Sequence, residues 1–214
     1  MGLLSESDRG EIRRVLSDLP GDVRIVFFTQ QFECGACKTT HELLDELVEL
    51  SPRLRLEVHE LVADKAAADS YGVDKVPAIA LVGKRDYGIR FKGLPAGYEF
   101  AAFLEALVDV SRGAPSVSPG VAADAGKVDR PVHVQVLVSP SCPYCPRAVR
   151  SAHKLAMLNP NIRADMVEVS EYPFLAIRYG VQGVPHTVIN DVYHVVGAVP
   201  EDRMIKEILK AIGK

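Results

Sequence analysis

The chain has 214 residues, 48% of them hydrophobic and 25% charged, with a formal net charge of -3. That hydrophobic share excludes a disordered chain and allows one large core or two small ones. Interspersed charges of nearly balanced sign give no electrostatic reason to bind nucleic acid or an anionic membrane.

Asp8, Arg9, Glu11, Arg13 and Arg14 interrupt the first nineteen residues, so a signal-peptide h-region is missing. No stretch approaches the ~20 apolar residues of a membrane span. A cytosolic protein without a membrane partner is expected. Asn and Gln together number seven and Trp is absent, a composition that fits thermophile proteins.

Asp8 and Glu11 have capping-box spacing and predict a helix from Asp8 to Asp18. Val23 to Phe28 reads as a strand, and Cys34-Gly35-Ala36-Cys37 then opens a helical pattern running to about Leu50. A second strand follows over Leu54 to Val62, then a short helix ending near Tyr71. Val76-Pro77 leads into a strand at Ala78 to Val82, a final strand, and a helix within Gly97 to Asp109. Ser111 to Arg130 is rich in Gly, Pro, Ser and Ala and reads as a connection. Ser118-Pro119 has the residues of a helix start, with a short helix to about Lys127.

The order then repeats. Strands are expected at Val132 to Val138, Ile162 to Val169 and His186 to Asn190, with a long helix from Cys142-Pro143-Tyr144-Cys145 to Leu158 and a last one from Pro200 to Ile212. A shift of 108 carries Cys34, Cys37, Tyr71-Gly72-Val73, Val76 and Pro77 onto Cys142, Cys145, Tyr179-Gly180-Val181, Val184 and Pro185 without a gap. An internal repeat of this kind sets the fold class: α/β, with two tandem units, 1–115 and 116–214, each a mixed central sheet flanked by helices.

Each cysteine pair is expected at a helix N-terminus, where unpaired amides and the helix dipole favour a negative sulfur. Cys34 and Cys142 are therefore the candidate nucleophiles, and Cys37 and Cys145, one turn along, the resolving thiols. Such a cycle needs no cofactor beyond the redox-active disulfides. Arg147, Arg150, His153 and Lys154 follow the second pair, whereas Glu42, Asp45 and Glu46 follow the first, so a lower thiol pKa is expected at Cys142. A shared Cys₄ zinc site is disfavoured, because 104 residues separate the pairs where zinc ribbons use ~15 to 20. A structural disulfide at Cys34 and Cys37 is an open alternative.

Val76-Pro77 and Val184-Pro185 are candidate substrate-binding positions, as shaped loops with backbone groups free to pair with an extended segment. Tyr144, between two helix-start cysteines, is a candidate substrate contact. Glu60 and Glu168 could assist the resolving thiols or be ordinary strand-end carboxylates. His186 could tune Cys142 or simply fill space. Tyr71 and Tyr179 read as packing residues.

Cys-x-x-Cys at a helix start with Val-Pro about forty residues on resembles thioredoxin-fold proteins, and Cys142-Pro143-Tyr144-Cys145 resembles the glutaredoxin dithiol motif. The tandem arrangement, with Gly93-Leu94-Pro95-Ala96-Gly97 and Glu99-Phe100-Ala101-Ala102-Phe103-Leu104-Glu105, resembles the protein disulfide oxidoreductases of archaea and thermophilic bacteria. The resemblance implies thioredoxin-fold units, exchange chemistry on protein disulfides, and a thioredoxin-reductase-type flavoenzyme as electron donor. Thioredoxin's Trp before the first cysteine and its buried Asp are replaced here by Glu33 and Ser141 and by Phe28 and Val136, which leaves proton handling open. A glutathione-dependent glutaredoxin and a redox-silent binding or chaperone module are the alternatives.

Overall fold

A computed structural model describes residues 2–17 and 19–214. The elements in chain order are α1 (Glu6–Leu16), β1 (Val23–Thr29), α2 (Cys37–Val48), β2 (Leu54–Glu60), α3 (Lys65–Tyr71), β3 (Ala78–Val82), β4 (Asp86–Lys92) and α4 (Glu99–Arg112), then α5 (Pro119–Ala125), β5 (Val132–Val138), α6 (Cys145–Leu158), β6 (Ile162–Glu168), α7 (Pro173–Arg178), β7 (His186–Ile189), β8 (Tyr193–Val196) and α8 (Glu201–Ala211). Pro115 lies in the connection between α4 and α5. The expected first helix starts earlier than its spacing implied: Ser5 caps it and Asp8 closes the box from the N3 position. A hydroxyl three residues before the acid displaces the Asp8–Glu11 reading. Asp18, its expected end, lies outside the described residues.

The two sequence repeats do not keep separate sheets. Eight strands form one sheet in the order β2-β1-β3-β4-β6-β5-β7-β8. The seam is a parallel pairing of β4 with β6, with Ile89 opposite Ala164, Arg90 opposite Asp165 and Phe91 opposite Met166. In a single unit β4 would be an edge strand with unpaired amides and carbonyls. Here its apolar residues Ile89 and Phe91 are fully buried and that edge is taken by β6.

Both sheet faces are covered, which is why strands such as Val-Arg-Ile-Val-Phe-Phe-Thr read as near-continuous apolar runs. Alternate residues serve different cores. Val23, Ile25 and Phe27 face the large core shared with α1, α2, α4, α5, α6 and α8. Val26 and Phe28 face a small core under α3, and Leu137 and Val188 a matching one under α7. The two repeats are thus laid side by side in the same orientation.

On the α3/α7 face the seam is ionic. Asp165 of β6 is fully buried and receives Lys92 Nζ at 3.3 Å, His133 Nε2 at 2.8 Å and Arg163 Nε at 2.9 Å. Burial alone would raise this carboxyl, but the His133 hydrogen bond and the Lys92 and Arg163 charges hold it well below the usual carboxylate range. A depressed value means stability that is present above about pH 4 and lost on acidification through the folded value. Asp165→Asn leaves Lys92 buried with one distant partner, Asp74 at 3.6 Å. Urea unfolding at pH 7 should show a loss of about 3 kcal/mol, narrowing below pH 4. A pH-independent deficit would contradict this assignment.

Candidate active site

Because β1 is antiparallel to β3, β3 to β4, and β4 is parallel to β6 and β6 to β5, β1 and β5 point the same way. Both cysteine pairs therefore lie on the same edge of the sheet, each after the C-terminal end of its strand. Four strand spacings separate β1 from β5, about 19 Å at ~4.8 Å each. A single zinc ion with sulfurs at about 2.3 Å cannot reach both pairs. Among the described residues no group of three or more His, Cys, Asp or Glu could hold a metal ion.

In the first pair Cys34 and Cys37 are joined as a disulfide, with Cα atoms 5.4 Å apart. Cys37 opens α2, Cys34 is half-buried, and Glu33 before it has φ of 57°. In the second pair both thiols are free. Cys142 is 9% exposed and its Sγ donates to the Val184 carbonyl at 3.7 Å, while Cys145 opens α6 and is fully buried. Burial, reinforced by the adjacent Cys142 and by Glu99, pushes the Cys145 thiol up. Between them Tyr144 is 70% exposed.

Val76-Pro77 and Val184-Pro185 are both cis. Each proline carbonyl is fixed by the residue after the second of the two strands that follow it, Pro77 by Gly93 N–H after β4 and Pro185 by Gly197 N–H after β8, both at 2.9 Å. The Pro77 carbonyl also accepts the hydroxyl of Tyr172 from the second unit at 2.8 Å. In the other direction, the first unit's loop reaches the second pair. Tyr98 N–H donates to the Pro140 carbonyl at 3.0 Å, and a Cβ on Gly97, whose φ is 59°, would sit 2.3 Å from that oxygen. Glycine is required by that contact and that angle.

This loop delivers a residue that received no role from the sequence. Glu99, the first residue of α4, is 1% exposed, and neither carboxyl oxygen has a hydrogen-bond partner. Burial raises its pKa to about 8, and it acts electrostatically on Cys145. A signal was available: Glu99 is in helical register with the buried Ala102, Phe103, Ala106 and Val110, which places an acid on an apolar face. Glu168, by contrast, spends its carboxylate on Ser170 N–H, Ser170 Oγ and Glu171 N–H. Glu60 ends the edge strand β2 and is only half-buried.

His186 does not join the second pair. It sits opposite Leu137 in the β5–β7 ladder and so faces α7, where its ring meets His194 at 2.8 Å. Cys142 and Cys145 belong to the core on the other face. The expected positive field also thins out. Arg150 is ion-paired with Glu105, Lys154 with Glu201 at 2.9 Å, and His153 is buried with its pKa lowered to about 4. Tyr179 packs under α7 and Tyr71 beside Phe28, as packing residues do.

A thioredoxin domain profile matches residues 132–210. A protein disulfide oxidoreductase from Aeropyrum pernix superposes with a TM-score of 0.90 and 31% identity, over 97% of this chain and 93% of that one. The chain belongs to the protein disulfide oxidoreductases. Like that family it has the thioredoxin fold. The alkylhydroperoxide reductase AhpF of Enterococcus faecalis shares the fold, with a TM-score of 0.89 at 23% identity over 96% of this chain and 99% of that one. A Bacillus subtilis protein named NADH dehydrogenase is 29% identical over 166 residues, 78% of this chain. This oxidoreductase spans about a third of the length of the curated relatives it matches.

Because Glu99 is raised from 4.5 to about 8, the folded oxidoreductase holds a proton that the unfolded chain releases. Its stability should fall as pH climbs through that interval. Glu99→Gln should gain on the wild type across it, by at most about 4 kcal/mol at pH 8. Unfolding curves that stay parallel from pH 4 to pH 8.5 would refute the buried-acid assignment.

Proposed function

We propose that the protein reduces and forms disulfides in protein substrates chiefly at Cys142 and Cys145, with Glu99 as the proton carrier. Cys142 attacks as thiolate at the start of α6, one substrate S–S bond breaks, and the departing sulfur takes a proton from water while a mixed disulfide forms. Cys145 then passes its proton to the carboxylate form of Glu99 and attacks Cys142 Sγ; the bond from Cys142 to the substrate breaks, the Cys142–Cys145 disulfide closes, and the second substrate sulfur leaves with the proton that Glu99 took up. The reverse sequence forms substrate disulfides. The carrying observation is the unpartnered buried carboxyl acting on Cys145. With a pKa of about 8 it exchanges protons near neutral pH, as a general acid–base should.

In this reading Val184, Pro185 and Tyr144 meet the substrate, and Val76 and Pro77 do so at the Cys34–Cys37 centre. No bound cofactor enters the cycle. A separation of about 19 Å prevents sulfur-to-sulfur exchange between the centres within one folded molecule. Each pair is therefore recharged from outside. We assign that role to a thioredoxin-reductase-type flavoenzyme, in keeping with longer relatives named as an NADH dehydrogenase and as part of an alkyl hydroperoxide reductase. The cytosol is the setting this implies, and no helix among the described residues is long and apolar enough to cross a membrane.

A disulfide reductase assay tests the assignment. Cys142→Ser should lose activity by about a hundredfold or more, and Cys34→Ser at least tenfold less than that. Glu99→Gln should keep the first attack but slow resolution by about 10², so that mixed disulfide accumulates. A greater loss from Cys34→Ser would reverse the ranking of the centres. Deglutathionylation retained by Cys145→Ser would favour a glutaredoxin.

A further inference from the structure

Between the two centres, on the face covered by α2 and α4, lies an open groove of about 520 Å³. Thr39, two residues past Cys37, stands at one side. Leu94 to Gly97, the loop that contacts Pro140 two residues before Cys142, stands at the other. Its floor is apolar, with Ile12, Leu43, Phe100 and Leu104. The remaining wall is the Leu3-Leu4 segment, fastened to α2 by hydrogen bonds from both amides to Glu46.

The charged residues lining the groove are Asp8 and Glu11, both exposed, and among the described residues no Lys or Arg lines it. Arg14 meets Glu11 only at 3.9 Å, in a solvent-exposed pair that contributes little. Exposed aromatics stand at both centres, Phe32 two residues before Cys34 and Tyr144 within the second pair. An extended strand rises ~3.3 Å per residue, so about six residues bridge the two centres.

We propose that this groove binds the substrate polypeptide itself, as an extended apolar segment carrying a basic residue, and holds it across both redox centres. This rests on the disulfide-exchange reading above and adds the class of sequence that the enzyme selects. Apolar side chains fill the floor formed by α1, α2 and α4. The Lys or Arg lies against Asp8 and Glu11 on the rim. A segment held there presents a flanking cysteine to Cys142 at one end or to Cys34 at the other. Rim charges of this kind govern selectivity and salt dependence more than affinity.

Two measurements on the full chain decide it. A fluorescently labelled, cysteine-free peptide of alternating Leu and Lys should bind in an anisotropy titration at low ionic strength. It should bind about threefold or more tighter than its Leu/Glu counterpart, and the preference should shrink with salt and collapse in Glu11→Lys. Ala101→Trp, made at an exposed position lining the groove, should weaken the peptide about fivefold. It should also lower kcat/KM for a scrambled-disulfide protein, through KM, about fivefold relative to that for 2-hydroxyethyl disulfide. Equal binding of the two peptides, or an unchanged ratio of the two substrates in a folded Ala101→Trp, would overturn the proposal. Wild-type protein inactive on both disulfides would instead sink the exchange reading, while the peptide titration still decides the groove.

Discussion

Parallel pairing of β4 with β6 is the contact on which the rest of the molecule depends. By joining the strand that would be one repeat's edge to the strand that would be the other's, it turns two four-stranded sheets into one of eight. It also lays the repeats in file instead of facing each other. The file sends β1 and β5 in one direction and puts α4 of the first repeat beside α6 of the second. One face of the seam is closed by apolar packing of Phe91 against Phe103 and His153. The other is closed by the buried Asp165 and its cations.

Side-by-side placement makes the two centres unequal although their sequences are repeats. The helix that follows the last strand of the first repeat begins with Glu99 and lies over the second repeat's thiols. Its structural counterpart, Glu201 at the start of α8, pairs with Lys154 of its own repeat instead. Burial raises that carboxyl and the Lys154 hydrogen bond and charge prevail, leaving its pKa lowered. A desolvated, unpartnered acid and an ion-paired one are chemically different even at equivalent places. In the proposed cycle the proton-handling group missing at Val136 is supplied to the second pair by the first repeat, and Glu99 does not serve the pair beside Phe28.

Much of this was legible in the residues. Period-two and period-3.6 patterns placed six of the eight strands and nearly every helix within a few residues, leaving β4 and β8 without bounds, and the 108-residue shift exposed the duplication and both Val-Pro loops. What escaped was relational. Nothing in the β4 sequence says whether its edge meets solvent or a partner strand, so the fused sheet was unreadable. Counting cations after Cys142 overcounts those free of partners, because Arg150 and Lys154 are matched by Glu105 and Glu201 from other helices. His186 follows the cis proline directly, yet strand alternation turns its ring toward α7. Glu99 was visible as an acid in an apolar register, but its target lies in the other repeat.

The most direct measurement is a carbon-13 NMR titration of the Glu99 carboxyl, with serine replacing one cysteine pair at a time so that each centre can be oxidised and reduced alone. The account predicts a midpoint near 8 in the reduced protein, responsive to the redox state of Cys142 and Cys145 and indifferent to that of Cys34 and Cys37. A midpoint near 4.5, or one that follows the first pair, would contradict it.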